Sequence, residues 1–190
     1  MMMEPIHIPT YEEIQEVRRA LSNMNLDHWL HKEVFTMTWW FLLFSSIAPF
    51  IVWWKLVDRE RFDEIFSFGL LCGIFATILD VMGVDLVLWG YPDKLFSMIP
   101  PLFPADLCVI PVSTMLMYQI FTRWRSFFYA TVVWSFVLSF VIEPIFVYFN
   151  MFALHNWKHM YSFFAFIAFL LFCRFIFSKI QKSIRQKAIA

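Results

Sequence analysis

Apolar positions along this chain follow two distinct patterns. Ile14, Val17, Leu21, Met24 and His28 recur at steps of three and four, which predicts an amphipathic helix within residues 1–32. Thr10 followed by Glu13 has the spacing of a capping box and marks where that helix begins. Beyond it the chain changes to long apolar runs, over about residues 34–54, 66–87, 103–121, 127–149 and 160–179, each close to the roughly 20 residues that a helix needs to cross a bilayer. The expected fold is all-α: a polytopic membrane helical bundle of about five transmembrane helices over residues 33–180, preceded by the amphipathic helix and followed by a basic tail at 181–190.

Local signals refine the spans. Trp39, Trp40, Trp53 and Trp54 bracket the first one and are expected in the interfacial belt. The segment from Tyr91 to Pro104 cannot be helical through Pro92, Pro100 and Pro101, although Pro104 suits the first turn of the next helix. Pro111 predicts a kink in the third span. In the fourth, Pro144 frees the carbonyl of Phe140 and predicts a kinked, polar helix end. Arg174, near the end of the fifth, is expected to snorkel to the headgroups.

Composition then sets the class. The 190 residues are 61% hydrophobic and only 16% charged, with a mean hydropathy of +0.64, which no soluble domain of this length would carry. Zero net charge and the lack of a basic block with interleaved aromatics exclude the electrostatic footprint of a nucleic-acid binder. The partner is the lipid bilayer. Cys72, Cys108 and Cys173 lie in separate apolar runs without CxxC spacing, so they read as small packing residues. The first thirty residues are charged and helical rather than a secretory leader, and the first span is expected to direct insertion. Lys55, Arg59, Arg61, Arg123, Arg125, Lys179, Lys182, Arg185 and Lys187 fall on one side; Arg18, Arg19, Lys32, Lys94 and Lys158 fall on the other. That bias places the carboxyl terminus in the cytoplasm and the amino terminus outside.

The residues that do not belong in such runs carry the chemistry. Asp80, Asp106 and Glu143 each sit roughly 5 to 10 Å inside the same boundary at about 1.5 Å per residue. An acid at the centre of a membrane helix costs on the order of 2.5 to 3.5 kcal/mol, so three at one depth imply a shared polar site, either a ligand, ion or proton site or a structural network. Around them, Asp85, Trp89, Tyr91, His155, Trp157, Lys158, His159 and Tyr161 come from the loops at that end and complete the candidate ligand-binding set. Asp85, five residues beyond Asp80, lies on a different helix face and at nearly interfacial depth reads first as a solvated residue and second as a member of the site. His155 and His159, four apart, would share a face if helical and leave a metal ion open, whereas Lys158 between them opposes a cation. No cofactor is identified. No phosphate-binding glycine loop, nucleophile elbow or Ser-Lys or Cys-His pair is present, so acid catalysis by Asp80, Asp106 and Glu143 is the enzymatic option. Asp80 with Trp89 and Tyr91 is echoed at the same offsets by Glu143 with Phe152 and Leu154, which suggests two parallel helix pairs flanking the site.

The run Leu79-Asp-Val-Met-Gly-Val-Asp-Leu-Val-Leu-Trp-Gly-Tyr-Pro, with Pro104-Ala-Asp106, Ile142-Glu-Pro144 and Asn156-Trp-Lys-His159-Met-Tyr161, resembles a family of small multi-pass membrane proteins from endospore-forming Firmicutes. The resemblance spans roughly Trp53 to Phe175 and implies a helical bundle in a bacterial cell membrane without implying an activity. A more distant similarity is to the lycopene cyclase domain, in which an acid, a Trp-x-aromatic and a Pro-x-acid-acid motif follow in this order. Asp80, Trp89, Tyr91, Pro104 and Asp106 fill those places, and Leu107 stands where the cyclases carry a second acid. That likeness implies protonation of an apolar polyene, with aromatic faces stabilising the cation. Three functions follow as expectations: a small-ligand or ion pocket near the outer face in a sensor, accessory or transport component; an acid-catalysing enzyme on an isoprenoid or lipid; or a structural anchor. Five spans are few for a stand-alone transporter, so a homodimer or a membrane partner subunit is expected.

Overall fold

The computed structural model describes residues 8–97 and 102–189, and the side chains of Arg185, Lys187, Ala188 and Ile189 are left out of the description. Pro100 and Pro101 of the proline-rich loop lie outside it. Helix α1 (Tyr11–His28) opens with the capping box expected at Thr10: its hydroxyl accepts from the Glu13 amide, and Glu13 accepts from the Thr10 amide in return. A wide π turn (Trp29–Glu33) leads to Phe35, whose φ of 63° reverses the chain before Thr36 caps α2 (Met37–Leu56). The Asp58 carboxylate accepts from the Glu60 amide and starts a 3-10 turn that runs into α3 (Phe62–Asp85). After strand β1 (Trp89–Gly90) and the loop, a π turn (Ala105–Val109) continues into α4 (Ile110–Ile120). Helix α5 (Trp124–Val137), a π turn (Leu138–Ile142) and α6 (Glu143–Tyr148) form one rod, and strand β2 (Ala153–Leu154) precedes α7 (His159–Ile189). Both prolines expected to disturb helices, Pro111 and Pro144, stand two residues past the end of a π turn, where the widened turn accommodates the missing amide.

The all-α bundle is as expected. Four helical rods among the described residues are long and apolar enough to cross a membrane: Met37–Leu56, Arg59–Asp85, Trp124–Tyr148 and His159–Ile184. The run expected at 103–121 is helical over 103–120, about 27 Å against a hydrocarbon core of about 30 Å, and Ala105–Ile120 is its shorter apolar helix. It nonetheless joins the two ends of the bundle. At one end Gln119 donates to the Leu56 carbonyl (2.9 Å) and accepts from the Asp58 amide (3.0 Å); at the other, the Asp106 backbone packs beside Gly73 of α3.

Helix α3 is central. Gly69, Gly73, Ala76, Asp80 and Gly83 recur on its buried face, and small residues there let a neighbouring helix approach closely. A Cβ on Gly69 would overlap Met115, and one on Gly73 would lie 3.1 Å from Pro111. The main core, around Phe68, Cys72, Met115, Phe127, Leu170 and Cys173, joins α3, α4, α5 and α7, and all three cysteines are buried and free. Leu70, Ile74 and Ile78 of α3, Phe44, Ile47 and Ile51 of α2, and Phe164, Phe172 and Phe175 of α7 are exposed outside that core. Such continuous apolar cover suits a lipid solvent.

Two expectations change at this level. Trp53 is not an interfacial residue but a core one, 3% exposed and packed on Phe62 and Phe66. Arg174 does not snorkel. It is 5% exposed, donates to the carbonyls of Phe121 (3.2 Å) and Thr122, and lies 4.1 Å over the Phe127 ring, so it caps the carboxyl end of α4. Helix α7 also continues as helix through the basic segment expected as a tail.

Candidate functional site

The end of the bundle opposite Arg174 is organised by two copies of one backbone turn. Helix α3 ends at Asp85 and α6 at Tyr148, and each is followed by a capping residue with nearly the same angles: Leu86 at φ −82°, ψ 2°, and Phe149 at φ −86°, ψ 12°. The next residue but one after each helix, Val87 or Asn150, is left-handed with φ of 55° or 56°. Leu88 N–H then bonds Gly83 O (2.9 Å) as Met151 N–H bonds Phe146 O (2.8 Å), which completes a Schellman motif at each end. The two strands that follow pair antiparallel, with Gly90 opposite Ala153 and Trp89 opposite Leu154. Every corresponding pair, from Asp85 and Tyr148 to Gly90 and Ala153, is 63 residues apart, so the two turns meet about a local two-fold axis. The echo in the sequence corresponds to this repeated geometry.

Between the halves lies a cavity of about 220 Å³. Asp80, seven residues before Val87, and Glu143, seven before Asn150, both line it, and Asp106 enters from the first turn of the α4 rod. Asp80 Oδ1 accepts from Trp89 Nε1 and from Tyr91 Oη, both at 2.7 Å. Burial, reinforced by the charge of Asp80, holds the Tyr91 phenol well above its ordinary range, which keeps it a donor. Gly83 makes the first bond possible, since a Cβ there would overlap the Trp89 indole. Asp80 and Asp106 meet carboxyl to carboxyl and are 7% and 5% exposed; beyond that contact, Asp80 Oδ2 and Asp106 Oδ2 are buried without a hydrogen-bond partner among the described residues. Glu143 differs: its Oε2 lies 2.8 Å from His159 Nδ1. Trp157 spans the two halves, with its ring 5.1 Å from that of Trp89 and its Nε1 donating to Ser162 Oγ at 2.9 Å.

Of the residues singled out from the sequence, Asp80, Trp89, Tyr91, Asp106, Glu143 and Trp157 line this cavity together. Asp85 is exposed as the last residue of α3, and His155 and Lys158 are exposed on the loop. Tyr161 stacks edge-on against Trp157 from outside, and His159 acts through Glu143. His155 follows β2 and His159 begins α7, so no helix aligns the pair. Among the described residues, no group of three or more His, Cys, Asp and Glu could hold a metal ion.

Sequence reasoning missed the support of the Tyr91 loop. Glu33, only 4% exposed, accepts from the Lys94 amide through Oε2 at 2.6 Å, with His28 Nε2 3.6 Å from its other oxygen. Burial pushes its carboxyl above the ordinary range, against the pull of that amide and His28. Trp29 and Trp39 donate to the carbonyls of Lys94 (3.2 Å) and Leu95 (3.0 Å). The only local signal was an acid placed directly before an apolar span, which reads as an ordinary polar flank.

No protein-family model, no curated protein and no solved structure matches the chain. Its function is therefore argued from the cavity.

Proposed function

We propose that this is a multi-pass membrane protein that binds a small ligand or ion in the Asp80–Asp106–Glu143 cavity beneath the outer membrane face, as a sensor, accessory or transport component. One observation carries the reading. Two buried acids whose Oδ2 atoms meet no donor other than each other among the described residues border a cavity whose remaining walls are largely apolar. An unpaired buried acid is strongly unfavourable, and a bound partner would remove the penalty. The motif resemblance supports a bacterial cell membrane, and the Lys and Arg distribution supports a cytoplasmic carboxyl terminus, with the Ala105–Ile120 rod counted as a fifth crossing. A second copy or a partner subunit belongs to this proposal.

The test is saturable binding to protein in zwitterionic nanodiscs, read by thermal stabilisation and by tryptophan fluorescence, since Trp89 and Trp157 line the cavity. The probes are 2-phenylethanol, 2-phenylethylammonium and 3-phenylpropanoate. At least one should bind the native protein, and Ala105→Phe, which fills a lining position, should abolish it. If none of the three saturates, and mass spectrometry of the purified protein finds no retained small molecule, the reading is wrong.

A second reading has its own support. Asp80 and Asp106, which fill the places of the upstream acid and the first acid of the pair in lycopene cyclase domains, stand next to each other although they come from different helices. In this reading the pair protonates an isoprenoid double bond within the aromatic walls. Lipid and pigment extracts of deletion and wild-type cells decide it: a missing product supports catalysis, and identical extracts under confirmed expression reject it.

A further inference from the structure

Resting on the cavity as a binding site, we propose that its ligand is a small organic cation, an ammonium group on an apolar body, with the nitrogen seated between Asp80 Oδ2 and Asp106 Oδ2. The two halves differ in what meets the acid. In each, an acid stands seven residues before the left-handed cap residue and meets the first turn of the following helical rod. In the second half that turn supplies a base, His159, at 2.8 Å from Glu143. In the first half the same turn supplies Asp106, so an acid faces an acid where the other half has an acid against a histidine.

Among the described residues no basic side chain takes the place of the histidine. Trp89 and Tyr91 both donate to Asp80 Oδ1 and leave Oδ2 facing Asp106. Neither lysine nor arginine is among the described residues that line the cavity. Two carboxylates in a low-dielectric site favour a cation with several N–H donors, and the neighbouring ring of Trp157 can add a cation–π contribution. A bare metal ion fits worse, because two carboxylates amid apolar walls leave most of its coordination unmet. Leu138, Ile110, Phe166 and Phe169 line the rest and would take the apolar body. The volume of about 220 Å³ lies between the ~150 Å³ that accepts benzene and the ~300 Å³ at which drug-sized pockets begin. A body somewhat larger than one ring is the matching size.

The same three probes separate this inference from the reading beneath it. The account expects 2-phenylethylammonium to bind native protein at least tenfold more tightly than 2-phenylethanol, with 3-phenylpropanoate weakest. Asp80→Asn and Asp106→Asn should each cut the ammonium preference about tenfold while 2-phenylethanol still binds. If the alcohol or the carboxylate matches or exceeds the ammonium in native protein, the cation assignment is overturned and a ligand pocket of other specificity remains. The native comparison needs no variant to fold. Failure of all three probes to saturate overturns the pocket itself.

Discussion

The two ends of the bundle bury charge in opposite ways. At one end two guanidinium nitrogens of Arg174 donate to the backbone carbonyls of Phe121 and Thr122, its Nε is buried without a partner among the described residues, and the group lies over the rings of Phe127, Tyr118 and Trp124. Tyr118 donates to Glu64, which also pairs with Arg61 at 3.3 Å. At the other end Asp80 Oδ2 and Asp106 Oδ2 meet no donor other than each other among the described residues and border a cavity. The first arrangement closes a helix end from within; the second leaves charge available to something that enters. A buried ion that satisfies neighbouring groups stabilises a fold, whereas one left open is a cost that function has to justify.

Substitutions that strike this contrast hardest come first. Arg174→Met uncaps the end of α4 and should lose about 3 kcal/mol, measured as reversible unfolding in detergent or nanodiscs. A loss under 1 kcal/mol would mean that the carbonyls find other donors. Gly83→Ala should cost about 2 kcal/mol, because the Trp89 indole must move off α3, and it should weaken probe binding as Asp80 loses a donor. Retained binding would show that Trp89 does not orient the acid.

Asp106→Asn should do the reverse of Arg174→Met and stabilise the empty protein by about 1 to 2 kcal/mol while ligand preference falls. Destabilisation would show that the carboxylate serves the fold. Val87→Asn should gain about 1 kcal/mol, since a β-branched residue at φ 55° is strained and Asn already occupies the equivalent place at residue 150. An unchanged unfolding midpoint would remove strain from the account of that turn.

The smallest effect concerns pH. Glu33 has a raised pKa from burial, so the folded state holds its proton more tightly than the unfolded state. Stability from this residue is therefore greatest at low pH and falls as pH rises through the raised folded value. Glu33→Gln should flatten that slope, and a parallel slope in the variant would assign it elsewhere.

What the sequence revealed was what local pattern encodes. Apolar length identified the crossing helices, and common depth brought Asp80, Asp106 and Glu143 to one end. The missed roles depend on distant partners. Glu33 meets Lys94 61 residues away, and Arg174 meets Phe121 53 residues away; neither spacing leaves a periodic trace. Asp85 shows the converse, since nearness in sequence to Asp80 does not bring it into the cavity. The apolar run at 103–121 exceeds its helix by one residue, because Phe121 is apolar and forms the cap just past the helix end.

The most direct test of the converging acids is a double-mutant cycle of Asp80→Asn and Asp106→Asn, followed by unfolding free energy. Carboxyls that share one cavity should give a coupling of at least about 1 kcal/mol, with the second replacement relieving less strain once the first has removed the opposing charge. Additivity within about 0.3 kcal/mol would mean that the two acids do not meet.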